Sequence, residues 1–74
     1  MILEKLISLI CEELGYDEDK INEETLIGEL VGDELEIEEL AQTLEGVFEI
    51  ELDVIDGDMT VGELAEEIDD SINS

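Results

Sequence analysis

The side chains of this chain that could do chemistry are almost all carboxylates. Asp and Glu make up 25 of the 74 residues, against two cations, Lys5 and Lys20, and there is no histidine. The hydroxyls are Ser8, Thr25, Thr43, Thr60, Ser71, Ser74 and Tyr16, and the single thiol is Cys11. Covalent catalysis needs a nucleophile with a base beside it, and a carboxylate pair works only in a pocket that shifts its protonation. No motif here sets a base beside a nucleophile, and carboxylates on so acidic a chain read as a solvated face. The expectation is a protein that is not an enzyme, with no catalytic residues. Ser8 falls in the middle of a helical stretch and Ser71 and Ser74 in the tail, poor places for a modifying enzyme to work. Cys11 ends an apolar run and reads as a buried thiol rather than a reactive one.

Carboxylates can also hold a metal ion. With Gly57 at the glycine of a calcium-binding loop, Asp56 takes the loop's fifth position and Glu63 its last. The first and third positions then fall on Leu52 and Val54, which cannot ligate, so the motif fails. No specific metal site is expected, only weak, diffuse divalent binding around Asp33, Glu34 and Glu38 or around Asp56 and Asp58.

The formal net charge of −23 excludes ordinary nucleic-acid binding, which needs a basic surface to neutralise phosphates, and argues against anionic membranes. It favours basic protein partners and fast, salt-sensitive association. The longest stretch without a charge is the six residues from Leu6 to Cys11, far short of a membrane span or a signal peptide. A cytoplasmic monomer is the expectation. Such an acidic chain could be disordered, but 43% of its residues are apolar and they recur periodically, which a disordered acidic segment lacks. The length allows one domain, residues 1–74, with one small aliphatic core.

Three segments carry helical periodicity. In the first, over residues 2–14, Leu3, Leu6, Ile7, Ile10 and Leu14 form a stripe, and Gly15 suits a left-handed cap. The central one runs over 33–48, with Ile37, Leu40, Ala41, Leu44 and Phe48 on one face. Asp33 is its N-cap and Glu36 follows at capping-box spacing, while Glu34, Glu38, Glu45 and Glu49 point into solvent or towards a partner. The last opens at the Thr60-x-x-Glu63 box and turns Val61, Leu64, Ala65, Ile68 and Ile72 inwards, with residues 69–74 fraying. Between them, residues 16–31 form a long connection pinned to the core by Ile21, Leu26, Ile27 and Leu30. The second connection has a turn signal at Asp56-Gly57-Asp58, and a single helical turn is expected over 54–56. The core should comprise Leu3, Leu6, Ile7, Ile10, Leu14, Leu26, Leu30, Leu40, Leu44, Phe48, Val61, Leu64 and Ile68.

Leu30-Val31-Gly32-Asp33-Glu34-Leu35 resembles the Leu-Gly-x-Asp-Ser-Leu signature of the acyl carrier protein family. Leu14-Gly15, Ile21, Thr25-Leu26, Glu51-Leu52 and Thr60-Val61-Gly62-Glu63-Leu64 are similar to that family's landmarks in the same order, over nearly the whole chain. The resemblance implies an all-α fold: a small helical bundle of three main helices plus a short helix or turn, with a long first loop. It implies a non-enzymatic partner-docking module whose acidic helix-two face, here Asp33, Glu34, Glu38, Glu45 and Glu49, meets the basic surface of an acyl-handling or carrier-modifying enzyme. It also implies an apolar cavity between the helices.

One departure stands against these matches. The family carries phosphopantetheine on the signature serine, and Glu34, flanked by Asp33 and Leu35, occupies that position. A carboxylate has no hydroxyl to attack the phosphate of coenzyme A, so no cofactor is expected. Three readings follow: a carrier-like module that docks without carrying, a genuine carrier of fatty-acid or polyketide-type biosynthesis whose serine has been substituted, or an acidic decoy that occupies a nucleic-acid-binding site.

Overall fold

A computed structural model describes residues 2–52 and 55–73. The elements are α1 (Ile2–Leu14), a 3-10 turn (Glu18–Lys20), α2 (Ile27–Leu30), α3 (Glu34–Phe48) and α4 (Val61–Asn73), with no strand among the described residues. This is the all-α bundle with a long first connection that the sequence indicates. The 16–31 connection is more ordered than its lack of period suggests, since it contains both the 3-10 turn and α2.

α1 packs most extensively on α4. Leu6 and Ile10, four apart on one face of α1, are wholly buried. Gly15 ends the helix at φ +80°, its N–H donating to the Cys11 carbonyl at 2.8 Å. Lys5 places its ammonium 5.3 Å from the Phe48 ring centroid, which ties α1 to the end of α3 through a cation–π contact of about 0.5–1 kcal/mol.

The two connections are held together by their backbones. Residues 23–28 run antiparallel to residues 57–62, with Leu26 opposite Thr60. Ile27 N–H donates to the Met59 carbonyl and Val61 N–H to the Thr25 carbonyl, each at 2.8 Å. Gly28 N–H donates to the Gly57 carbonyl at 2.8 Å, and Gly62 N–H to that of Glu23 at 2.9 Å. The first N–H groups of a helix have no intrahelical partner, and these bonds satisfy those of Ile27 and Gly28 in α2 and of Val61 and Gly62 in α4. The two chains come so close at Gly28 that a Cβ there would sit 3.0 Å from the Gly57 carbonyl oxygen.

This pairing decides which apolar residues of the first connection enter the core. Leu26 is extended (φ −76°, ψ 139°), so it and its neighbour Ile27 face opposite ways. Ile27 is fully buried, and Leu26, expected in the core, is only half-buried. Ile21, Val31 and Ile55 join the core as well. Leu40, Leu44, Val61, Leu64 and Ile68 are buried as expected, whereas Leu3, Ile7, Leu14, Leu30 and Phe48 are half-buried around the core's margin.

The start of α4 closes its capping box in both directions. Glu63 N–H donates to Thr60 Oγ1 at 3.1 Å, and Thr60 N–H to Glu63 Oε1 at 3.3 Å. The expected fraying from residue 69 does not occur in the described chain. The helix continues to Asn73, whose Nδ2 donates to the Asp69 carbonyl at 2.9 Å and to Asp69 Oδ1 at 3.0 Å. The inner stripe does stop early, because Ile72, expected to face inwards, is 46% exposed. At the second connection, the turn expected over 54–56 falls partly on Val54, outside the described residues. Ile55 and Asp56 are not helical. The bend comes just after them, at Gly57 and Asp58, where Asp58 N–H donates to Asp56 Oδ1 at 3.1 Å and Met59 N–H to the Asp56 carbonyl at 3.0 Å.

Gly28→Ala drives a methyl group into the Gly57 carbonyl, so urea unfolding should show a loss of about 1–3 kcal/mol, the cost of overpacking. Gly46→Ala, where an added Cβ meets nothing within 4 Å, should instead gain about 0.5–1 kcal/mol of helix propensity.

Candidate functional site

The candidate site is the start of α3 and the groove beside it. Val31, buried to 1% exposure, anchors the chain just before the helix. Gly32 carries it to the surface, and Asp33 is the extended N-cap at φ −123°, ψ 135°. Asp33 Oδ1 accepts from Leu35 N–H at 3.1 Å. The capping box indicated by Asp33 and Glu36 is thus half formed: among the described residues Glu36 makes no return bond to Asp33. It lines instead a recess with Glu13 and Tyr16.

Glu34 is the first residue of α3 and is exposed, as are Glu36, Glu38 and Glu39. Their charges lie near the positive end of the helix dipole, which favours them. Glu34 and Glu38 are four apart and therefore neighbours on the helix surface, a like-charged pair that a cation would relieve. Leu35 sits among them 66% exposed. The sequence gives its signal only as an apolar residue off the Ile37–Leu40–Leu44 stripe.

Beside this face lies a groove of about 830 Å³ between α3 and the second connection. Ile37 and Ala41 form one wall and Leu52, Ile55 and Gly57 the other. Glu34 and Glu38 stand at its edge, opposite Asp56. Glu45, expected to point into solvent or towards a partner, turns to the second connection. It is half-buried and its Oε2 accepts from Leu52 N–H at 3.0 Å, so it braces the second connection against α3. Glu49 is exposed and takes the left-handed cap conformation, φ 56°, ψ 48°, at the far end of α3.

The other reactive side chains are elsewhere. Cys11 is half-buried on α1, and its thiol is pushed above its ordinary pKa by burial, with the charges of Glu18 and Asp17 adding to the effect. Ser8 donates to Glu18 Oε1 at 2.5 Å. The Thr60 hydroxyl is engaged by the α4 cap, Thr43 is half-buried, and Ser74 lies outside the described residues. Among the described residues no three His, Cys, Asp or Glu side chains are grouped to hold a metal ion. Asp33 and Asp56 each commit an oxygen to a backbone amide, while Glu38 and Asp58 are exposed.

No protein-family model matches the chain. Individual proteins do. The acyl carrier protein of Streptococcus thermophilus is 35% identical over 63 residues, which cover 85% of each chain. Acyl carrier proteins of Streptococcus pyogenes, among them that of serotype M1, are 32% identical over the same length and coverage. The chain belongs to the acyl carrier protein family. Its relatives are named as carriers. Among the described residues, no helix of this family member is long and apolar enough to cross a membrane.

The family's phosphopantetheine arm finds no fitting residue at the start of α3. Segment 32–35 contains no hydroxyl, and the exposed side chain at its centre is a carboxylate. The residues present do not fit covalent attachment there.

Glu45→Ala removes a charged acceptor from a half-buried backbone N–H. It should cost about 1–2 kcal/mol in denaturant unfolding and speed amide exchange at Leu52. Glu38→Ala, at an exposed position, should stay within about 0.5 kcal/mol of the parent.

Proposed function

We propose that this chain is a carrier-fold docking module that takes no phosphopantetheine arm as it stands. It engages the basic surface of an acyl-handling or carrier-modifying enzyme through Asp33, Glu34, Glu38 and Glu49 on α3, with Glu45 bracing the groove behind them. The observation that carries this reading is Glu34, an exposed carboxylate at the first position of α3, the position to which the resemblance assigns the family's serine. The charge of the face supports docking. Carboxylates at a helix N-terminus on a chain of net charge −23 steer a basic partner in and make its association rate fall with salt. Exposed Leu35 adds apolar contact area in the middle of that charge. The groove beside α3 is large enough for a small apolar ligand, but without an arm the chain has no tether to hold an acyl group in it.

A second reading, a carrier of fatty-acid or polyketide-type biosynthesis whose attachment serine has been substituted, is favoured by the match to proteins named acyl carrier protein over 85% of their length. One experiment addresses both. The chain and its Glu34→Ser variant are incubated with coenzyme A and a broad-specificity phosphopantetheinyl transferase, and intact masses are recorded. The expected result is an unchanged mass for the parent and a gain of one arm by the variant. A gain by the unaltered chain overturns the proposal. With the same transferase as probe, Glu38→Lys should weaken binding by about tenfold, roughly 1.4 kcal/mol, and added salt should weaken binding of the parent. Binding insensitive to both would remove α3 as the docking face.

A further inference from the structure

A second concavity, away from α3, joins an apolar floor to a rim of one sign of charge. Its floor is Ile2 and Leu3 from the first turn of α1 and Ala65 from α4, and its volume is about 660 Å³. Ile2 and Leu3 pack against the core yet remain half-buried, so α1 carries more apolar surface at its start than α4 covers. The rim draws on two separate segments, with Glu24 from the first connection and Glu66 and Asp69 from α4. Asp69 is held in place by the Asn73 amide at 3.0 Å. Among the described residues no Lys or Arg lines the groove. None of its lining residues belongs to the groove beside α3.

These features select an occupant. A rim of carboxylates repels a second copy of this chain, a fatty acid and a nucleic acid. The apolar floor gains nothing from a bare cation. Both are satisfied by a segment that presents apolar side chains along one face and cations along its edges. We propose that the α1–α4 groove seats a basic amphipathic helix of a protein partner, with its apolar residues on Ile2, Leu3 and Ala65 and its Lys or Arg residues against Glu24, Glu66 and Asp69. This is the helix-in-groove mode of recognition, in which apolar anchors supply affinity and rim charges supply on-rate and register. The volume lies within the range of about 300–1,000 Å³ typical of binding clefts. The inference does not depend on α3 docking. It gives the chain two acidic faces, so that two partners, or two segments of one partner, can be held at once.

The test is amide chemical-shift mapping of the full chain titrated with a synthetic amphipathic helix of Leu and Lys. Two control peptides accompany it, one with Ser in place of Leu and one with Glu in place of Lys. The Leu/Lys peptide should shift the amides of Leu3, Ala65 and Glu66. At those resonances the Ser/Lys peptide should bind about tenfold more weakly, as should the Leu/Lys peptide to the Glu24→Lys/Glu66→Lys variant. Shifts confined to α3 overturn the proposal and leave the α3 reading intact. Equal binding of the Ser/Lys peptide overturns it by reducing the groove to bulk electrostatics. Shifts at Leu3 and Ala65 caused by the Glu peptide, or by raising the concentration of the chain alone, overturn it in favour of an apolar ligand or a second copy. The peptide controls need no variant, so they decide the matter even if the double substitution unfolds the chain.

Discussion

The structure depends on the backbone pairing between its two connections. A chain of 74 residues with two cations and 25 carboxylates has little core and strong self-repulsion to hold it folded. Helices α1 and α4 can pack through their own apolar stripes, but the start of α3 is positioned by what precedes it. The four amide–carbonyl bonds joining residues 23–28 to 57–62 fix that approach. They place Ile27 and Val31 in the core, lead the chain to Asp33, and hold Gly57 where it walls the groove beside α3. Gly28 eases the approach, since a Cβ there would sit 3.0 Å from the Gly57 carbonyl oxygen and the paired backbone would have to give.

Much of this fold was legible in the sequence. Periodic apolar positions marked α1, α3 and α4, and Asp33, Thr60 and Glu63 marked where two of the helices begin. Those features are local, so local rules read them. What was not legible depended on contacts between distant segments. Nothing in residues 23–28 alone indicates that their carbonyls and amides will be used by residues 57–62, and so the sequence indicates both Leu26 and Ile27 as pins where only Ile27 is fully buried, and does not indicate Val31. Glu45 looked like one more surface carboxylate; its bond to Leu52 N–H depends on how the second connection folds back.

The candidate site divides in the same way. That α3 would carry acidic residues at an exposed N-terminus could be read directly, and the family membership given by the Streptococcus relatives agrees with the scaffold. The identity of residue 34 separates scaffold from chemistry. Its position is that of an exposed first-turn residue, available to a partner, while its carboxylate offers charge and hydrogen-bond acceptance but no nucleophile. The proposed docking role rests on that difference. The half-exposed apolar start of α1 adds a surface that the α3 face does not account for.

The paired connections act as one ordered unit that positions α3. Native-state amide hydrogen exchange tests this most directly. The amides of Ile27, Gly28, Val61 and Gly62, which donate across the pairing, should be protected nearly as strongly as those of Leu44 and Ile68 within the helices. Exchange of these four at the rate of an open loop, while the helices stay protected, would show that the two connections do not hold each other and would leave the start of α3 without a fixed position.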